Sequence, residues 1–246
     1  MSFVRRLSMP KLKVQRYLQD PSHCGIASCA TIGNFYNKKI DYEKTKEVAQ
    51  KMFKDTGEGL FSTEMGRLLN TLGFENVLFV NMDLQIFDCS WAKLNKKQLC
   101  EMLVKVKRRK EEQRDQTKDI LKFLEHKGNS IILDYHFAQY VTEYINKGCP
   151  LISCFNWTKF FDFVKISDKG EYDSLKGDVE YHAVVVCGYN DKGVFIVDSH
   201  NDCYKYKLKK FRQGEYCMPW EDYIAVTTDL VIPYGYQEEL CSYALV

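Results

Sequence analysis

No stretch of this 246-residue sequence is apolar for long enough to serve as a secretory signal core or a transmembrane span, and residues 1–23 hold no continuous apolar run. The expectation is a cytoplasmic protein with no membrane partner. Charge of one sign is also missing. Thirty-five Lys and Arg stand against 33 Asp and Glu, a formal net charge of +2. Such a balance supplies no field to gather nucleic acid or an anionic lipid surface. No Gly-rich loop of the Walker or dinucleotide type occurs, which counts against an ATP- or NAD-dependent enzyme and predicts no organic cofactor. Paired Cys-x-x-Cys units are absent as well. The ten cysteines are scattered, several inside apolar runs, and read as free thiols of a reducing compartment. His200, Asp202 and Cys203 lie close together, but their spacing matches no closed tetrahedral set, so that loop is expected to hold no metal. Internal repeats and low-complexity segments are lacking.

What is present fits one soluble globular domain over residues 1–246: 45% hydrophobic and 28% charged residues, in a chain long enough to bury a substantial core. A basic lead-in covers residues 1–14. Asp41 is placed to cap a helix running to about Phe53, and Ser62 or Thr63 to cap another that Gly73 stops. Val77–Val80 and Ile131–Leu133 read as short strands, with a helix from Phe137 to Gly148 and a central strand over Leu151–Phe155. Closing strands are expected near 203–208 and 222–228. Residues 94–127 differ from the rest. Lys and Glu dominate there, with Leu99, Met102, Leu103, Val106, Ile120, Leu121 and Leu124 at helical spacing, which predicts one long helix or a helical hairpin inserted in the core. Within it, Lys105–Lys110 is followed directly by Glu111 and Glu112 and reads as a solvated helix face.

The chemistry centres on Ser22-His23-Cys24-Gly25-Ile26-Ala27. The polar approach Gln19-Asp20-Pro21-Ser22 gives way to a run in which Ile26, Cys29, Ala30, Ile32, Gly33 and Phe35 follow helical spacing with one buried face. Cys24 therefore sits at a helix N-terminus, where unpaired N–H groups and the helix dipole favour a thiolate. His23, next to it, is expected to line the cleft. Far downstream, residues 181–198 form two short runs rich in β-branched residues, separated by Asn190-Asp191-Lys192-Gly193, which predicts a β-hairpin. His182 opens the first strand and Asp198 ends the second, so the two side chains can meet. A carboxylate there would hold the imidazole in one tautomer with its other nitrogen facing a thiol.

The pattern Gln-…-Cys-Gly-…-Ala opening a helix, followed by His-Ala-Val-Val-Val-…-Gly-Tyr and a strand ending in Asp-Ser, resembles papain-like cysteine peptidases of the C39 and C39-like group. The fifteen residues between His182 and Asp198 are similar to that group's spacing. The resemblance spans about 15–60 and 148–227. It implies an α+β papain-like fold, with the nucleophile in an N-terminal helical half and a C-terminal antiparallel sheet carrying His and Asp. It also implies Cys24 as nucleophile, His182 as general acid/base, Asp198 as orienting group, and a peptide or protein substrate. The group's oxyanion Gln stands six residues before its Cys, whereas here Gln19 precedes Cys24 by five and Gln15 by nine. Gln19 is the assigned donor. Three rival readings stay open: acyl transfer on the same site, as in the more distantly similar phytochelatin synthases; a C39-like protein of the kind that carries a guanylyl-cyclase label; and a silent peptide-binding module.

Overall fold

The computed structural model describes residues 10–53, 56, 57, 59–160, 165, 173–200 and 214–241. The chain enters as a strap, Leu12 donating its N–H to the Cys187 carbonyl at 2.7 Å. This crossing needs a glycine opposite it. A Cβ on Gly188 would lie 2.7 Å from the Pro10 carbonyl oxygen and 2.9 Å from the Lys11 Cα.

α1 (Cys24–Tyr36) follows, buried from Gly25 to Asn34. Sequence spacing predicts a single buried face. In fact the helix is enclosed on nearly all sides, because the sheet lies beneath it and two further helices lie over it. These are α2 (Tyr42–Met52), where the Asp41 carboxylate accepts from the Lys44 N–H at 2.9 Å, and α3 (Ser62–Thr71). Such a cap is worth about 1 kcal/mol. α3 is capped differently from expectation. Phe61 is its N-cap, with the Glu64 carboxylate accepting from the Phe61 N–H at 3.1 Å. Ser62 and Thr63 lie inside the first turn, and their hydroxyls make tertiary contacts instead.

β1 (Phe74–Asn81) leads to the charged segment, which is a hairpin of α4 (Lys96–Arg109) and α5 (Arg114–Glu125) broken at residues 110–113. Buried Asp119 of α5 anchors it to α3, accepting from Thr63 Oγ1 and Arg67 Nη1, each at 2.6 Å. β2 (Ser130–Leu133), α6 (Phe137–Asn146), β3 (Leu151–Asn156) and the single turn α7 (Trp157–Phe160) come next. The expected hairpin is β4 (Tyr181–Asn190) and β5 (Gly193–Val197). β6 (Glu215–Pro219) then runs into α8 (Trp220–Val226) and β7 (Thr227–Tyr236).

The expected strand at 222–228 is therefore helical over most of its length. Trp220, Tyr223 and Val226 share one helical face, Tyr223 and Val226 are buried, and the Tyr223 hydroxyl donates to Ser153 Oγ at 3.0 Å. Tertiary burial of that face overrides the β-branched composition. The strand expected at 203–208 lies outside the described residues.

The fold is α+β. Among the described residues the sheet has seven strands in the order β2-β1-β7-β3-β4-β5-β6, antiparallel except for β1 with β2. Helices α1 to α5 supply the core on one face, α6 and α8 that on the other. The sheet is not confined to the C-terminal half, since β1 and β2 extend one edge. No helix among the described residues is long and apolar enough to cross a membrane.

Candidate active site

Four segments converge at one end of the sheet. The strap reverses through Asp20-Pro21-Ser22-His23, closed by the His23 N–H on the Asp20 carbonyl at 3.1 Å. Pro21 fixes the first corner, and Ser22 takes the second at φ 61°, the left-handed geometry of a type II turn. Cys24 then opens α1. Gly25 brings α1 against α3, for a Cβ there would lie 2.8 Å from Met65 Sδ. Asp20 pairs with Lys46 of α2, and its N–H donates to the Tyr42 hydroxyl at 2.9 Å. His23 does not line the cleft as expected. It is buried, with Nδ1 3.3 Å from the Tyr42 hydroxyl.

His182 lies in β4 and Asp198 just past β5, and both are 3% exposed. Nε2 of His182 is 2.8 Å from Asp198 Oδ1. That leaves Nδ1 as the ring nitrogen for the hydrogen bond His182 shares with Cys24. Asp198 Oδ1 also accepts the His200 N–H at 2.8 Å, and its Oδ2 accepts from the Tyr216 hydroxyl at 3.2 Å. The Trp157 ring stacks on the imidazole of His182, centroids 4.5 Å apart at 20°, and meets the His200 ring edge-on. His200 thus belongs to the wall of this site. Asp202 and Cys203, its neighbours in the loop expected to hold no metal, lie outside the described residues.

The electrostatics follow from this packing. Burial pushes the Cys24 thiol up, but the hydrogen bond and charge of His182, helped by the backbone N–H groups of Ala183 and Gly25, leave it below its ordinary value. Burial pulls His182 down, yet the charge and hydrogen bond of Asp198 and then Cys24 raise it to about 10. Burial opposes ionisation of Asp198 also, and the His182 charge and hydrogen bond hold it below the usual carboxylate range. Cys29, Cys100, Cys154 and Cys187 all go the other way, raised first by burial. Both shifts run in the direction that favours a paired thiolate and imidazolium at Cys24 and His182.

Gln19 is tied to Ser199, the residue after Asp198, and Gln15 is not. The Gln19 N–H donates to the Ser199 carbonyl at 3.1 Å, and the Ser199 hydroxyl donates to Gln19 Oε1 at 2.7 Å. With the oxygen end so engaged, the NH2 end of the Gln19 amide is the donor left for another partner. Gln15 is exposed, its amide donating to the Arg16 carbonyl at 3.1 Å. Sequence reasoning missed three contributors. Arg16 fastens the strap to the loop after β5, Nε to the Asp198 carbonyl at 2.6 Å and Nη2 to the His200 carbonyl at 2.9 Å. Trp157 and Tyr216 come from separate strand ends. The one available signal was Trp157, an aromatic residue directly after the central strand.

No family model and no curated protein matches the sequence. Among solved structures, the chain is similar to a double glycine motif protease from an AMS/PCAT transporter, determined in complex with the leader peptide. The identity is 13%, covering 92% of this chain and 96% of that one, with a TM-score of 0.43. It is also similar to a Bacillus anthracis protein assigned to the C39-like peptidases, at 12% identity, 93% and 98% coverage and a TM-score of 0.43. Likeness at this level gives no residue a role, and the roles proposed below rest on the geometry of the site.

Proposed function

We propose that the protein is a cysteine peptidase. The observation that carries this reading is the alignment of Cys24, His182 and Asp198, in which the thiol is lowered and the imidazole raised by one another and by a buried carboxylate. The Cys24 thiolate attacks the carbonyl carbon of a peptide bond, and the carbonyl electron pair moves onto oxygen. The Cys24 N–H at the start of α1 and the Gln19 amide are the donors for that oxyanion. The imidazolium of His182 protonates the leaving amine as the C–N bond breaks, leaving a thioester. Water, deprotonated by His182, then attacks the thioester and restores the thiolate. Asp198 holds the ring through Nε2 and stabilises its charged form, while Trp157 shields one face from water.

A direct test is thiol labelling across pH, read by mass spectrometry. Iodoacetamide is expected to modify Cys24 ahead of the other cysteines at neutral pH, with a rate that rises through the lowered Cys24 pKa. Peptide turnover should rise on the same acid limb and fall as pH climbs through the His182 value of about 10, where the imidazolium is lost. Labelling spread evenly over the ten cysteines of the sequence would overturn the reading in favour of a silent binding module.

The oxyanion assignment is tested separately. Gln19→Ala removes one donor and is expected to lower kcat about a hundredfold with little change in KM. Gln15→Ala should leave both constants near wild type. Equal rates for the two variants would remove Gln19 from the mechanism.

A further inference from the structure

A carboxylate that the triad does not use lies two strands away from Ala183, the residue whose backbone meets Cys24. Register pairs Asp229 of β7 with Asn81 of β1 and with Cys154 of β3, and Cys154 with Ala183 of β4. Residues in register on neighbouring strands point to the same face. Asn81, Asp229, Cys154 and Ala183 therefore form a row on the face that carries α1 and α3. Cys24 stands at one end, its sulfur hydrogen-bonded to the Ala183 backbone. Ser62, in the first turn of α3, stands over the middle, its Oγ 3.3 Å from Cys154 Sγ. The pairing of β3 with β7 shifts between Cys154 and Phe155, so Thr228 is the extra residue of a bulge. Its hydroxyl lies 3.1 Å from the Cys154 carbonyl oxygen and 2.9 Å from Asp229 Oδ2.

Asp229 is 8% exposed, and its Oδ1 has no hydrogen-bond partner among the described residues. The other deeply buried carboxylates are satisfied by cations, Asp119 by Arg67 and Asp198 by His182. No such ion pair reaches Asp229 among the described residues. Its pKa is raised, by burial first and also by the charge of Asp83, against help from Ser62, Thr228 and Cys154. A buried carboxylate left without a countercharge is costly, and an incoming cation offsets that cost.

We propose that Asp229, with Ser62 and Thr228 as its lip, forms a specificity subsite beside Cys24 that receives a basic side chain of the substrate, carried next to the scissile bond. The assignment rests on Cys24 being the nucleophile. Oδ1 is buried, so docking of the ammonium or guanidinium is coupled to a side-chain rotation there. The aliphatic stem of a lysine or arginine then lies against half-buried Ser62 and Thr228 while its charged head reaches the carboxylate.

The test uses two peptidyl acyloxymethyl ketones that differ only in lysine or norleucine next to the warhead, with the rate of Cys24 modification read by mass spectrometry. In the wild type the lysine probe should react faster by about tenfold to a hundredfold, the range expected for a hydrogen bond between charged groups. In Asp229→Asn that ratio should collapse towards one. Ser62→Lys, which plants a cation at the lip, should drive it to one or below and serves as an independent check where the first variant folds poorly. A wild-type ratio near one, or a ratio that neither substitution changes, overturns the subsite. Iodoacetamide supplies the separate reading: a wild-type Cys24 that fails to react with it overturns the peptidase proposal, and the subsite falls with it.

Discussion

In the Cys24→Ala protein, turnover falls to the uncatalysed background and no acyl-enzyme accumulates, while the melting transition stays near that of the wild type. The substitution removes the atom that makes the new bond, and neither His182 nor the oxyanion donors can replace it. Its structural cost is small. Cys24 is half-buried, at the start of a helix whose buried residues begin at Gly25, so the stability change should stay within about 1 kcal/mol. Cys24→Ser is expected to be almost as inactive, because a serine hydroxyl titrates far above a thiol and the His182 pair lacks the reach to ionise it. Mass spectrometry of the quenched reaction and a thermal melt check both halves. Residual turnover in Cys24→Ala above background would shift the chemistry to another residue.

The parts of this site legible in the sequence are those whose geometry is local. The hairpin β4–β5 is written in two β-branched runs around an Asn-Asp-Lys-Gly turn, and pairing within a hairpin brings its ends together. His182 and Asp198 could thus be joined on paper, and their 2.8 Å contact follows. Cys24 was legible through the same locality, as the first residue after a Pro-containing turn. The enclosure of α1 was not, because the spacing of Ile26, Cys29 and Ile32 marks a single apolar face, while the contact with the sheet is made by Ser28, whose hydroxyl donates to the Ala183 carbonyl. Small residues close its other faces, Gly25 against Met65 of α3 and Gly33 against Ile40, just before α2. Arg16, Trp157 and Tyr216 escaped for a different reason. Each reaches the triad through a long-range neighbour relation, strap to loop or strand end to strand end, that no periodicity encodes. Asp229 is the sharpest instance, since only the register of three strands sets it in the row that ends at Ala183. Nor was α8 legible. Ile224, Val226, Thr227 and Thr228 favour a strand by composition, and the buried Tyr223 decides for a helix through its contact with Ser153.

His182→Ala and Asp198→Asn should separate widely, and the hydrogen bonds around Asp198 give the reason. Removing the imidazole takes away both the proton carrier and the cation that lowers the thiol. kcat/KM is expected to fall by about a thousandfold or more. Iodoacetamide labelling at neutral pH should fall with it, because burial then pushes the Cys24 thiol up against the backbone N–H groups of Ala183 and Gly25 alone. Asp198→Asn keeps the ring in place. The asparagine Oδ1 can still accept from His182 Nε2–H and from the His200 N–H, while its Nδ2 faces Tyr216, whose hydroxyl turns from donor to acceptor. The tautomer with Nδ1 towards Cys24 is therefore retained, and only the negative charge is lost. That charge is what holds His182 up at about 10, so its loss moves the imidazole down and brings the alkaline limb of turnover to lower pH. One buried countercharge is worth about one to two pKa units, so the rate loss should be about tenfold to a hundredfold. Rate profiles against pH for the two variants decide the matter. An Asp198→Asn profile that loses amplitude without moving its alkaline limb would mean that Asp198 orients the ring and contributes nothing through its charge.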